Sequence, residues 1–193
     1  MKKKKYALIL TAVVLVCILI VVLHLQEDPP FGHESVNSPE QYLEVNSFVE
    51  KSLKANFDEV LPKSIPSNAT AESYCYRYAC GLQGDASFYI NLTLKYKSEA
   101  ELTAEYERLI KKQPERTIQA GAVEHLFFGA DREALDGYFD DEIYDGSIWL
   151  FNIVSVDRDK LTIEYTAASI SDGGERFDRL SKTLSEMREL IEK

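Results

Sequence analysis

The chain of 193 residues carries 32 Asp and Glu against 22 Lys and Arg, a formal charge of −10. That balance argues against binding nucleic acid or an anionic lipid surface through bulk electrostatics. The length beyond its opening segment suits one globular domain with its own core, and no internal repeat or low-complexity tract is present.

The chain opens Met-Lys-Lys-Lys-Lys, and residues 6–23, "YALILTAVVLVCILIVVL", hold no charge. Eighteen such residues reach about 27 Å at the helical rise, close to the roughly 30 Å of bilayer hydrocarbon. A cleavable signal peptide has an apolar core of about 7–15 residues and then a small-x-small site. Here "VVLHLQEDPP" follows, so the pattern predicts an uncleaved transmembrane anchor over residues 6–25. Cys17, in "VLVCILI", lacks the small residues of a lipoprotein site and reads as a membrane-buried thiol. Lys2, Lys3, Lys4 and Lys5 flank one end, and Gln26, Glu27 and Asp28 the other. The positive-inside rule then places residues 1–5 in the cytoplasm and everything from about residue 26 outside, a single-pass topology. All 32 acidic residues but only 18 of the basic ones follow the anchor, a formal charge of −14. That charge fits a well-solvated surface and would suit a cationic partner.

Residues 26–37, "QEDPPFGHESVN", read as a short stalk, and residues 38–193 as one extracytoplasmic domain. Ser38, Pro39 and Gln41 resemble a helix start with a capping box, and Tyr42, Val45, Val49, Leu53, Phe57 and Val60 form one apolar stripe up to Pro62. "PKSIPSNA" is then an extended connector. "ESYCYRYAC" and "ASFYINLTLKY" flank the glycine turn "GLQGD" and predict a hairpin. Symmetry about Gln83 opposes Tyr78 to Phe88, Tyr76 to Ile90 and Tyr74 to Leu92. The other face, with Arg77, Tyr89, Asn91, Thr93 and Lys95, reads as exposed or half-exposed. Ser98 opens a second capping box, and Leu102, Tyr106, Leu109 and Ile110 form the buried stripe of the helix that runs on toward Pro114. "AVEHLFFG" predicts a third strand, and "SIWLFNIVSV" with "LTIEYTAASI" a second hairpin around "DRDK". Trp149, Phe151 and Ile153 share one face of that strand, and Ile148, Leu150, Val154 and Val156 the other, which places it inside the sheet. A last helix turns Phe177, Leu180, Leu184, Met187 and Ile191 inward. The expected fold is α+β, an antiparallel sheet of about five strands covered by three helices and preceded by the transmembrane helix.

Chemistry-bearing signals are few. Cys75 and Cys80 lie on the exported side, where disulfides are common, but five positions along a regular strand separate their Cα atoms by about 16 Å, and a bridge spans at most about 7 Å. They are therefore either two free thiols or a bridge across a broken strand. Zinc finds no second ligand pair, and a thioredoxin-like role has the wrong spacing. Asp136, Asp140, Asp141, Glu142 and Asp145 offer hard oxygen ligands, yet from Asp141 the third and twelfth positions are Ile143 and Asn152, which breaks the calcium-loop order. A solvated acidic loop is the better reading. His125 is the domain's one histidine, and no nucleophile elbow, zincin or phosphate-loop motif accompanies it. No cofactor motif is present either. Asn68 and Asn91 open N-x-T sequons. The tyrosines at 74, 76 and 78 suit a carbohydrate- or peptide-binding face, but their partners Phe88, Ile90 and Leu92 favour a core face.

The organisation is of bacterial type. It leads to the expectation of a non-enzymatic interaction module at the outer membrane face, binding a protein, peptide or envelope polymer. The alternative is an envelope-facing hydrolase or metal-dependent enzyme that uses the Asp136-to-Asp145 segment with His125. That reading needs His125 and at least two of the carboxylates in one cleft.

Overall fold

The computed structural model describes residues 13–16, 32–42, 60–80, 86–129, 148–171 and 178–191. Gly32–Val36 (β1), Ala69–Cys80 (β2), Ala86–Tyr96 (β3), Arg116–Ala120 (β4), Val123–Gly129 (β5), Ile148–Asp157 (β6) and Thr162–Ser171 (β7) form one antiparallel sheet. Its order is β1-β2-β3-β7-β6-β5-β4. The architecture is α+β as the sequence predicts, but the sheet has seven strands and not five.

Both additional strands are edges. β1, "GHESV", falls within the stretch read as a stalk and pairs with the Tyr76-to-Cys80 half of β2. β4, "RTIQA", has one large apolar residue, Ile118, and leaves most of its side chains in solvent. An edge strand needs only a partner's ladder, so neither carries a period-two apolar signal. Pairing with an established neighbour makes them strands.

The inner strands follow the sequence closely. Tyr78 opposes Phe88, Tyr76 opposes Ile90 and Tyr74 opposes Leu92, the predicted register. The turn at 81–85 lies outside the described residues. β6 pairs with β5 on one side and β7 on the other, which explains why it is apolar on both faces. One face buries Tyr74, Tyr76, Phe88, Ile90, Leu92, Leu126, Val154, Val156 and Ile163. The opposite face buries Cys75, Tyr89, Phe127, Phe151, Ile153, Ala168 and Ile170. Tyr89 and Asn91, read as exposed or half-exposed, are fully buried. Tyr89 packs in one cluster with Leu184 and Met187 of the C-terminal helix, and Asn91 bonds to Glu164 and Thr166 of the neighbouring strand.

Glu99–Ile110 (α1) covers the first face with Leu102 and Leu109, and Asp178–Ile191 (α2) covers the second with Leu184 and Met187. Ser98 caps α1, accepting from the Glu101 N–H at 3.3 Å and donating to its carboxylate at 3.1 Å. Ile110, assigned to the buried stripe, is 37% exposed, because α1 ends there and Gln113 turns the chain at a positive φ of 56°. A polar clamp joins α1 to the sheet. Glu105 accepts from the Tyr165 hydroxyl at 2.6 Å and from Arg108 Nη2 at 2.7 Å, and Arg108 also donates to the Val60 carbonyl at 2.9 Å. Burial raises the pKa of Tyr165 well above the usual phenol value and pushes that of Tyr96 beside it up to about 12, so both stay protonated.

Of the predicted first helix the described part is a 3-10 turn, Pro39–Gln41, leading to the buried Tyr42. The Ser38 hydroxyl donates to the Glu40 carboxylate and does not cap the turn. Residues 43–59 lie outside the described residues. So does the predicted anchor except for residues 13–16, which are helical. Among the described residues no helix is long and apolar enough to cross a membrane.

Phe151 is in the core, as predicted from the doubly apolar strand, while the Trp149 side chain lies outside the described residues. Phe151→Ala is expected to cost about 3–5 kcal/mol in urea denaturation, the usual range for deleting a buried aromatic. A loss below about 1 kcal/mol would mean that α2 does not cover this face.

Candidate functional site

Cross-strand register gathers polar side chains into a row on the α2 face. Ser73 opposes Thr93, Thr93 opposes Glu164, Glu164 opposes Ser155, and Ser155 opposes His125, so five neighbouring strands each contribute one residue. The groups bond largely to one another. Ser73 Oγ donates to Thr93 Oγ1 at 2.9 Å, and His125 Nδ1 shares a hydrogen bond with Ser155 Oγ at 2.9 Å. Asn91, two positions further down β3 on the same face, donates to Glu164 Oε1 at 2.5 Å and to Thr166 Oγ1 at 3.1 Å. Such pairing is what burial demands, since a lone polar group in a packed layer costs about 1–3 kcal/mol.

His125 is 8% exposed. Burial lowers its pKa below the ordinary 6.5, with the negative charges of Glu164 and of Glu186 on α2 opposing the shift. The imidazole is therefore neutral at pH 7 and able to accept the Ser155 proton. A neutral imidazole on a hydroxyl is the pairing that activates serine nucleophiles. Two features argue against that use here. The order along the row is His–Ser–Glu, so the carboxylate flanks the hydroxyl and does not orient the imidazole. Ser155 also lies mid-strand between two paired neighbours, where backbone N–H groups serve the ladder and not an oxyanion. The row is a partly paired hydrogen-bonding strip within the sheet.

The Asp136-to-Asp145 acids, paired with His125 in the enzymatic reading, lie outside the described residues. Their segment joins Gly129 of β5 to Ile148 of β6, whereas His125 stands four positions back along β5. Among the described residues no three His, Cys, Asp or Glu side chains are placed to hold a metal ion. An open depression on the outer side of α1 is lined by Glu99, Ala100, Thr103, Ala104 and Glu107, all from one helix. It encloses nothing.

The cysteine alternatives resolve for one partner. Cys75 is a free, buried thiol, and β2 continues unbroken through it to Cys80, in register with Asn91 and Ala86. The strand break that a local bridge requires is absent. The Cys80 side chain lies outside the described residues. Asn91, in the second sequon, is fully buried and closed to glycosylation, whereas Asn68 is half-buried in a turn. Tyr74 and Tyr76 are core residues, and Tyr42 packs edge-on against Tyr74 with ring centres 5.5 Å apart. Sequence reading missed the polar row, because one hydroxyl or carboxylate per strand makes no motif. The Ser155–Glu164 pair was recoverable from the β6–β7 hairpin register. No protein-family model matches this chain, and no curated protein or solved structure is similar to it.

Neutral His125 favours the folded state, since its folded pKa lies below the unfolded value near 6.5. Its contribution vanishes above that pH. Stability should fall as pH drops below about 6.5 toward the folded pKa, and His125→Gln should flatten that part of a urea-denaturation profile. An identical profile in both proteins would mean that His125 titrates freely. Cys75, buried in the second core cluster, should resist a thiol reagent in native protein and react fully in denaturant; fast native labelling would show that this face opens.

Proposed function

We propose that this chain is a membrane-anchored binding module, held by a helix at residues 6–25 with its domain outside a bacterial membrane. There it engages a protein, peptide or envelope polymer without performing chemistry on it. The supporting observation is the exposure of the apolar helix. Val13, Val14, Leu15 and Val16 are helical and 49–60% exposed, while Ile110 is the one large apolar side chain exposed elsewhere among the described residues. A helix of such residues left uncovered by its own domain calls for lipid. The pairing of the polar row within itself supports recognition over catalysis, and the −14 charge outside the anchor suits a cationic partner.

Protease added to intact protoplasts should digest the domain and leave a membrane-bound stub. Protection of the domain would reverse the topology, and its recovery in the medium would mean cleavage after the apolar run. A pull-down with residues 26–193 should then retain a partner unchanged. Turnover of the captured material that is abolished by His125→Gln would establish the enzymatic reading in its place.

A further inference from the structure

The polar row keeps unfilled bonding capacity at its centre. Glu164 accepts from Asn91 through Oε1, and no hydrogen bond or ion pair reaches its Oε2 among the described residues. His125, 8% exposed, is bonded only through Nδ1, to Ser155. Glu186 on α2 is exposed and has no ion pair among the described residues, and its negative charge joins that of Glu164 on the imidazole. The lysines nearby are engaged elsewhere. Lys95, two positions from Thr93, pairs with Glu72 at 3.4 Å, and Lys160 pairs with Asp157, two positions from Ser155, at 2.7 Å. A half-buried carboxylate has lost part of its solvation, and a charge-assisted bond to an incoming cation restores it.

The row also has the length of a short extended chain. From Ser73 to His125 it crosses four strand spacings, about 19 Å, which an extended segment of about six residues covers. Thr93 and Ser155 flank Glu164 and are half-buried, so their hydroxyls can meet main-chain amides. With Nδ1 accepting from Ser155, the His125 Nε2–H is left to donate to a peptide carbonyl. We propose that Glu164 and Glu186 receive the arginine or lysine of a basic peptide segment laid along this row. This rests on the binding-module reading above and names the site and the chemistry of its partner. Glu164 Oε2 and the Glu186 carboxylate accept the cation's N–H groups, and the hydroxyls hold the segment's backbone.

The test uses the full chain in phosphatidylcholine nanodiscs, which offer a basic peptide no anionic lipid. The probe is a dye-labelled Gly-Arg-Gly-Arg-Gly-Arg peptide, and its control carries citrulline, neutral and of nearly the same shape, in place of arginine. Read by fluorescence anisotropy, the arginine peptide should bind at least about tenfold more tightly than the control. Glu164→Gln and Glu186→Gln should each weaken binding several-fold. Glu107→Gln, exposed on the outer side of α1, should leave it within about twofold. Because Glu186 is exposed, its variant decides the matter even if Glu164→Gln disturbs packing. Equal weakening by Glu107→Gln would mean diffuse attraction to the acidic surface and overturn the site, as would no binding by the unaltered chain. Both of those results leave the binding-module reading in place. Cleavage of the peptide that is lost in His125→Gln would overturn that reading, and the site with it.

Discussion

The pairing of β3 with β7 holds the molecule together. Nine residue pairs, from Ser87–Ile170 to Lys95–Thr162, join the β1–β2–β3 group to the β4–β5–β6–β7 group. Every other ladder links strands that are consecutive in the chain. This one closes a loop of some seventy residues, whose entropic cost must be met before its contacts form. Burial on both sides of the junction repays it: Ile90, Leu92, Ala167 and Tyr165 on one face, Tyr89 and Ala168 on the other, all without solvent contact. Without that ladder α1 and α2 would have no common sheet to cover.

Two-sided burial also governs the polar chemistry. A sheet packed by helices on both faces has little wet side along its inner strands, so polar residues there gain from a partner across the ladder, although the buried Ser87 hydroxyl has none. Asn91, Thr166 and Glu164 satisfy one another, Ser73 bonds to Thr93, and His125 bonds to Ser155. The clamp of Glu105, Arg108 and Tyr165 does the same on the α1 face while pinning the helix and the Val60 carbonyl. Groups that in isolation resemble catalytic parts are here engaged by their neighbours. The same constraint explains why Cys75 is a packed thiol and why a sequon asparagine lies in the core.

The binding-module proposal draws its coherence from the edges of this sheet. The strand nearest the apolar run is an outermost strand and pairs over only half its neighbour's length. A connection from a membrane can thus enter the domain without crossing either helical layer. The opposite edge, β4, leaves most of its side chains in solvent.

What the sequence by itself determined is local. The tyrosine alternation and the glycine turn specify the β2–β3 register, "DRDK" closes β6 and β7, and Ser98 caps α1, because each depends on residues close in the chain. The doubly apolar pattern of β6 also foretold an interior strand. The tertiary structure decided the rest. β1 and β4 are strands because a neighbour's unpaired ladder accepts them, and nothing in "GHESV" or "RTIQA" states that a partner is present. Tyr89 is buried because α2, some ninety residues further on, packs into the same core cluster. The polar row from Ser73 to His125 exists only once five strands are side by side, since cross-strand neighbours are set by sheet order and not by distance along the chain.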